Sequence, residues 1–147
     1  MEHYRTGPHT RYDLKYHFVW VTKYRKKVLG GAVGRRTREL VREVCRTNEV
    51  EILEGSVSLD HVHLLVSCPP QLAPSQLMKY VKGKSSRKLL QEFNHLQRQY
   101  WGRHLWARGY FVASSGNITD EVVMAYIRGQ EGTEPGDGGD NFRVPES

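Results

Sequence analysis

His61 and His63 stand one residue apart in the run Ser56-Val-Ser-Leu-Asp-His-Val-His-Leu-Leu-Val-Ser67. The run is apolar and β-branched, which predicts a strand. Side chains alternate faces along a strand, so both imidazoles point to one side and Val62 to the other. Two imidazoles on one rigid face are good ligands for a divalent metal. A bare His-x-His also arises by chance, and two half-exposed strand histidines would look the same. Towards the other end, Tyr126 and Gln130 are four apart and share one face of any helix that carries them. Taken alone, that pair is equally a core tyrosine and a surface glutamine. Beside a metal, a tyrosine hydroxyl can act as a nucleophile. Its ordinary pKa is about 10, so at neutral pH a base or cation must help it. A metal held by two imidazoles and an amide oxygen keeps open positions. There it could polarise a phosphodiester and stabilise a leaving 3′ oxygen. A phosphotyrosine keeps much of the energy of the broken bond, so rejoining would need no ATP.

The elements that must position these groups can be read in order. Lys15 to Thr22 is dense in aromatic and β-branched residues and predicts a buried central strand containing His17, read as a packed strand residue. Gly30, Gly31 and Gly34 open a turn into a helix reaching about Thr47, with Val33, Thr37, Leu40, Val41, Val44 and Cys45 on one stripe. Val50 to about Leu59 and His61 to Ser67 predict two strands joined as an antiparallel hairpin around Asp60. Pro74 starts a helix to about Phe93, with Leu77, Val81, Leu89 and Phe93 as its core side. Its Gly83-Lys-Ser-Ser86 is not a phosphate loop, because position 78 is Met and the stretch does not follow a strand. Residues 94–104 predict a polar connector, and Leu105 to Ser114 a fourth strand. Ser115-Gly-Asn117 predicts a hinge-like turn. Thr119 can cap a last helix carrying Val122, Val123, Tyr126 and Ile127. Gly129 weakens the end of that helix, which makes Gln130 the less secure ligand and Glu131 its fallback. The order predicts an α+β, ferredoxin-like βαββαβ sandwich with an added C-terminal helix carrying the tyrosine. His61 and His63 would then lie on a central strand.

With 147 residues the chain is long enough for one domain, expected over 13–130 after a loose polar leader at 1–12. The segment 131–147 holds five of the 16 acidic residues and one of the 22 basic ones. It is Gly- and Pro-rich and is expected to be disordered. The remainder carries 21 basic and 11 acidic groups, a net +10 that favours polyanions, nucleic acid first. Candidate DNA-binding residues are Lys23, Arg25 and Lys26 in a basic cluster with Tyr24, and Lys82, Lys84, Arg87 and Lys88 on the second helix. Cys45 and Cys68 fit no metal spacing and read as reduced core thiols. No apolar run spans a bilayer or forms a signal peptide, so the expected compartment is the cytoplasm, with no membrane partner.

Four stretches carry a resemblance. They are Asp60-His-Val-His63, Tyr16-His-Phe-Val-Trp-Val-Thr-Lys-Tyr-Arg25, Trp106-Ala-Arg-Gly-Tyr-Phe-Val-Ala-Ser-Ser-Gly-Asn117 and Tyr126-x-x-x-Gln130. Together and in this order, over about residues 13–130, they resemble the small single-tyrosine HUH transposases of bacterial insertion sequences. The resemblance implies a ferredoxin-like fold and a homodimer whose tyrosine helix serves the histidine pair of the partner chain. It implies Mg²⁺ or Mn²⁺ bound by His61, His63 and Gln130, with Tyr126 as nucleophile. The implied substrate is single-stranded DNA with subterminal hairpins, and the implied product a 5′-phosphotyrosine with a free 3′-OH. Other classes remain open on the residues: a non-catalytic ferredoxin-like nucleic-acid binder, a hydrolytic metalloenzyme using metal-bound water, and a domesticated single-strand nickase.

Overall fold

The computed structural model describes residues 4–101, 104–114, 120–129 and 142–145. Strands β1 (Arg5–Thr6) and β2 (Arg11–Tyr12) form a small hairpin ahead of the main sheet. That sheet is built from β3 (Leu14–Val21), β4 (Glu51–Val57), β5 (His61–Cys68), β6 (Phe111–Ser114) and β7 (Phe142–Arg143), in the order β6-β3-β5-β4-β7. The first four of these strands pair antiparallel with one another, which gives the expected ferredoxin-like order with β3 and β5 central.

One face of the sheet carries the core. Phe18 and Trp20 of β3 and Val62, Leu64 and Val66 of β5 are fully buried with residues of α1 (Gly31–Thr47) and α2 (Pro74–Glu92). The six-residue stripe expected on α1 is buried throughout, because an amphipathic helix must hide that stripe against the sheet. The other face carries His17 and Val19 of β3, His61 and His63 of β5, and Phe111 of β6. It is covered by α4 (Asp120–Arg128), whose Val123 and Ile127 pack on Val19.

Four expectations change. The fourth strand is short, because only Phe111–Ser114 pairs with β3. Upstream, Trp106 makes a single bridge to Thr22. The run between is pulled off the sheet by the Lys82 ammonium, which donates to the Ala107 and Gly109 carbonyls at 2.9 and 2.7 Å, and by Gly109 at φ 78°. The polar connector contains a helix, α3 (Asn94–Gln99), anchored by the fully buried Leu96. The described part of the leader, from residue 4, is not loose: the Arg5 guanidinium donates to the Ser67 and Glu49 carbonyls at 2.7 and 2.8 Å. Finally, disorder does not hold for the whole tail. Phe142–Arg143 pairs in parallel with β4, and Phe142 is buried over Gly55. A β-carbon at Gly55 would stand 2.6 Å from the Phe142 ring, so the missing side chain makes the seat. The tail's mean composition is polar, and that average conceals one aromatic with a place to go. No described helix is long and apolar enough to cross a membrane.

Candidate active site

His61 and His63 share a face because Val62 between them is wholly buried in the opposite layer. In the sheet register His63 lies opposite Val19, and Val19 opposite Phe111, so the three form one row across β5, β3 and β6. His17 sits diagonally from His63, and its Nδ1 lies 3.2 Å from His63 Nε2. One of those nitrogens must carry the proton for that contact to be a hydrogen bond. Burial pushes the His17 imidazole below its ordinary pKa, more than the charge of Glu54 raises it. Sequence reasoning treated His17 as packing alone. Its period-two spacing from Val19, on the strand beside the histidine pair, was the signal that could have found it.

His61 is buried, and its Nδ1 lies 2.8 Å from Asp60 Oδ1. Burial raises the Asp60 carboxyl, but hydrogen bonds from His61 and Arg25 and their charges outweigh it and hold it below its ordinary value. An ionised carboxylate only accepts, so His61 Nδ1 carries a proton, and in the neutral ring Nε2 then keeps the lone pair. Fixing a metal-ligating imidazole in this way is the usual work of a neighbouring carboxylate. Two imidazoles on one face are donors of the kind a divalent metal takes, while among the described residues no group of three His, Cys, Asp or Glu side chains is gathered to hold one. Gln130 and its fallback Glu131 lie outside the described residues.

The other Asp60 oxygen, Oδ2, accepts from Arg25 Nε at 2.9 Å and pairs with Nη2 at 2.8 Å. Arg25 was expected to contact DNA. Instead it is 6% exposed, and its Nη1 donates to the Ile127 carbonyl of α4 at 2.6 Å. Tyr24 and Arg25 both have positive φ, 62° and 54°. Left-handed backbone costs a non-glycine residue on the order of 1 kcal/mol or more. This double turn sends Arg25 inward and leaves Tyr24 73% exposed, with the Lys23 and Lys26 ammonium groups 5.4 and 5.9 Å from its ring.

Tyr126 is half-buried, and its ring lies 5.6 Å from that of Phe111. Desolvation raises its phenol above the ordinary value. Phe111 is two strands from His63 in the same row, roughly 10 Å at the usual strand spacing. The sheet thus brings the tyrosine helix and the histidine pair to one face, with Tyr126 seated on Phe111.

The basic residues of α2 divide. Lys82 holds two carbonyls, and Lys84 Nζ pairs with Glu43 at 2.8 Å. Arg87 is exposed and, with Lys82, His104 and Arg108, lines an open groove of about 860 Å³ between α2 and the segment before β6. Its lining carries no carboxylate among the described residues. Lys88 is half-buried beside Glu92.

A family model described as "Transposase IS200 like" matches residues 10–130. The transposase for insertion sequence element IS200 of Salmonella typhimurium is 38% identical over 122 residues, covering 83% of this chain and 80% of its own length. The ISDra2 transposase TnpA of Deinococcus radiodurans is 34% identical over 123 residues, covering 84% of this chain and 88% of its own. Among solved structures, a transposase candidate from Deinococcus radiodurans superposes with TM-score 0.80 at 32% identity, covering 88% of this chain and 99% of that one. A REP-associated tyrosine transposase bound to a REP hairpin superposes with TM-score 0.54 at 16% identity, over 84% of this chain and 72% of that one, and so shares the fold. A match running from the second strand of the leader hairpin through the tyrosine helix, and two such relatives above 30% identity, make this chain a member of the IS200-like transposase family of insertion sequences.

Proposed function

We propose that this transposase cleaves and rejoins single-stranded DNA by transesterification at Tyr126. The Tyr126 hydroxyl attacks the scissile phosphorus, forming the Tyr126–phosphate bond. The bond from phosphorus to the 3′ oxygen breaks, the phenol proton leaves, and the 3′ oxygen takes up a proton as a free 3′-OH. Rejoining is the reverse reaction with a different 3′-OH. A bound Mg²⁺ or Mn²⁺, held by His61 and His63 and completed by Gln130, would supply polarisation of the phosphodiester. Asp60 keeps His61 in the tautomer that can serve. The observation that carries this reading is the shared face: the Asp60-oriented His61, His63 and the helix bearing Tyr126 meet on one side of the sheet.

The proposed substrate is DNA with hairpins near the element ends, met in the cytoplasm, with 13–130 as the catalytic domain. Hairpin recognition is supported by analogy with the hairpin-bound neighbour of like fold. The basic groove beside α2 and the Lys23–Lys26 cluster around exposed Tyr24 are the proposed phosphate and stacking contacts. A homodimer with sites shared between chains is part of the proposal.

A denaturing gel tests it. End-labelled hairpin DNA with protein and Mn²⁺ should give a protein-linked strand and a free 3′-OH fragment. Tyr126→Phe should abolish the adduct and leave hairpin binding nearly intact. Free 5′ phosphate without adduct would instead mean hydrolysis by metal-bound water, and no cleavage at all a pure binder.

A further inference from the structure

Three separate parts of the chain are joined through one buried side chain, Arg25. Arg25 follows β3, Asp60 ends the hairpin turn before β5, and Ile127 is the residue after Tyr126 on α4. The guanidinium has two edges. Nε and Nη2 face Asp60 Oδ2 at 2.9 and 2.8 Å, and Nη1 donates to the Ile127 carbonyl at 2.6 Å. Asp60 turns its remaining oxygen to His61 Nδ1 at 2.8 Å. The chain of contacts thus runs from the tyrosine helix to His61 through Arg25 and Asp60.

We infer that Arg25 is a positioning residue that couples docking of the tyrosine helix to the orientation of the His61 imidazole. The inference rests on Tyr126 and His61 serving as proposed above. Its physics is that of an obligatory shared partner. The last carbonyls of a helix have no partner within the helix, and they form the negative end of its dipole. The buried guanidinium satisfies one of them, at Ile127. When α4 leaves the face, the guanidinium loses the Ile127 carbonyl in a site with little water, and the loss of a buried hydrogen bond is costly. The guanidinium then gains from rotating towards solvent or towards Asp60 Oδ1, and either motion disturbs the bond that sets His61. Conversely, a set His61 holds Asp60, Asp60 holds the guanidinium plane, and the plane presents Nη1 to the helix. Coupling of this kind is reciprocal. A planar fork suits this role, because its two edges are fixed relative to one another, whereas the donors of a lysine ammonium rotate about a single point and fix no such plane. The left-handed backbone at Tyr24 and Arg25 fits such a role, since the fold spends strain to aim this side chain inward.

The test reads both ends without cleavage, so its outcome is separate from that of the Tyr126→Phe experiment. Hydrogen exchange of the α4 amides reports helix docking, and ¹⁵N shifts of His61 report its tautomer. Arg25→Lys keeps the buried charge. It should fold, yet lower α4 protection roughly tenfold or more and mix the His61 tautomers. Asp60→Asn is the sharper variant, because it alters the carboxylate that Arg25 shares with His61 and leaves the atoms of the Arg25–Ile127 bond in place. If coupling holds, Asp60→Asn also lowers α4 protection, and Mn²⁺ alone raises that protection in the wild-type protein but not in Arg25→Lys. In cleavage assays Arg25→Lys should lower kcat with little change in KM for DNA. Wild-type α4 exchange and a single His61 tautomer in folded Arg25→Lys would overturn the inference. So would folded Asp60→Asn in which the tautomer changes and α4 exchange does not. Should Asp60→Asn fail to fold, the Arg25→Lys readouts and its response to Mn²⁺ decide alone.

Discussion

A carboxylate facing two donors must divide its oxygens, and Asp60 gives Oδ2 to Arg25 and Oδ1 to His61. The division sets which His61 nitrogen is left for a metal, and it also sorts the pH dependence. Asp60 is held below the ordinary carboxyl range, so its stabilising contribution is complete above about pH 4 and is lost only as acid drops through its lowered pKa. Metal-dependent cleavage should fall in acid, because a protonated imidazole cannot ligate. On the alkaline side, burial raises the Tyr126 phenol, so the rate should still be rising at about pH 9 rather than levelling near neutrality. His61→Ala or His63→Ala should each abolish metal-dependent cleavage. A pH–rate profile with Mn²⁺, and the same reaction in EDTA, checks all of this; full activity in EDTA would remove the metal from the mechanism.

Two elements have roles that their own sequences do not announce. The parallel strand β7 caps the outer edge of β4, with Phe142 lying over Gly55 and the Arg42 guanidinium 5.7 Å from its ring. Gly55→Ala should destabilise the fold by about 1–3 kcal/mol through overpacking, and Phe142→Ala by about 3 kcal/mol through loss of a buried ring. The double variant should cost less than the sum, since removing the ring removes the clash. Denaturant titration of the four proteins measures the cycle, and additive costs would show that β7 does not sit on Gly55. On α2, Lys82 and Lys84 are committed to carbonyls and to Glu43. The cations that face solvent beside the groove are Arg87 and Arg108. Replacing Arg87 and Arg108 with Gln should weaken hairpin binding and flatten its salt dependence by roughly one unit of slope per lost phosphate contact. Lys84→Gln, which removes a cation already paired with Glu43, should act mainly through the net field. An unchanged slope in Arg87→Gln/Arg108→Gln protein would move the DNA off this groove.

For the molecule as a whole, the question is which sheet each tyrosine helix serves. Within the chain α4 lies on its own sheet, held by Val19 packing and by Arg25, with Tyr126 on Phe111. An exchange of helices in a homodimer would rebuild the same contacts between chains at little cost, as domain swapping does. Complementation reads the arrangement. His61→Ala/His63→Ala protein and Tyr126→Phe protein are each expected to be inactive. After subunit exchange, a mixed dimer with shared sites has one site with every group intact, so cleavage should return. Without sharing, each site keeps one defect and the mixture stays inactive. Demonstrated exchange without recovery would place Tyr126 on the sheet of its own chain.

Much of this was legible in order and periodicity. The alternation around Val62 put both histidines on one face, the stripe of α1 and the apolar positions of α2 named the covering layer, and the succession of elements led to the sheet order. Those features are local and repetitive, so a single sequence carries them. The seat of Phe142 on Gly55, the approach of His17 to His63 and the inward turn of Arg25 were not legible, because each depends on residues far apart in the chain meeting at one point. A basic run such as Lys23-Tyr-Arg-Lys-Lys27 looks solvated by composition. Only the folded chain, by setting Asp60 and the last carbonyls of α4 on either side of it, gives one of its cations a partner worth burying it for.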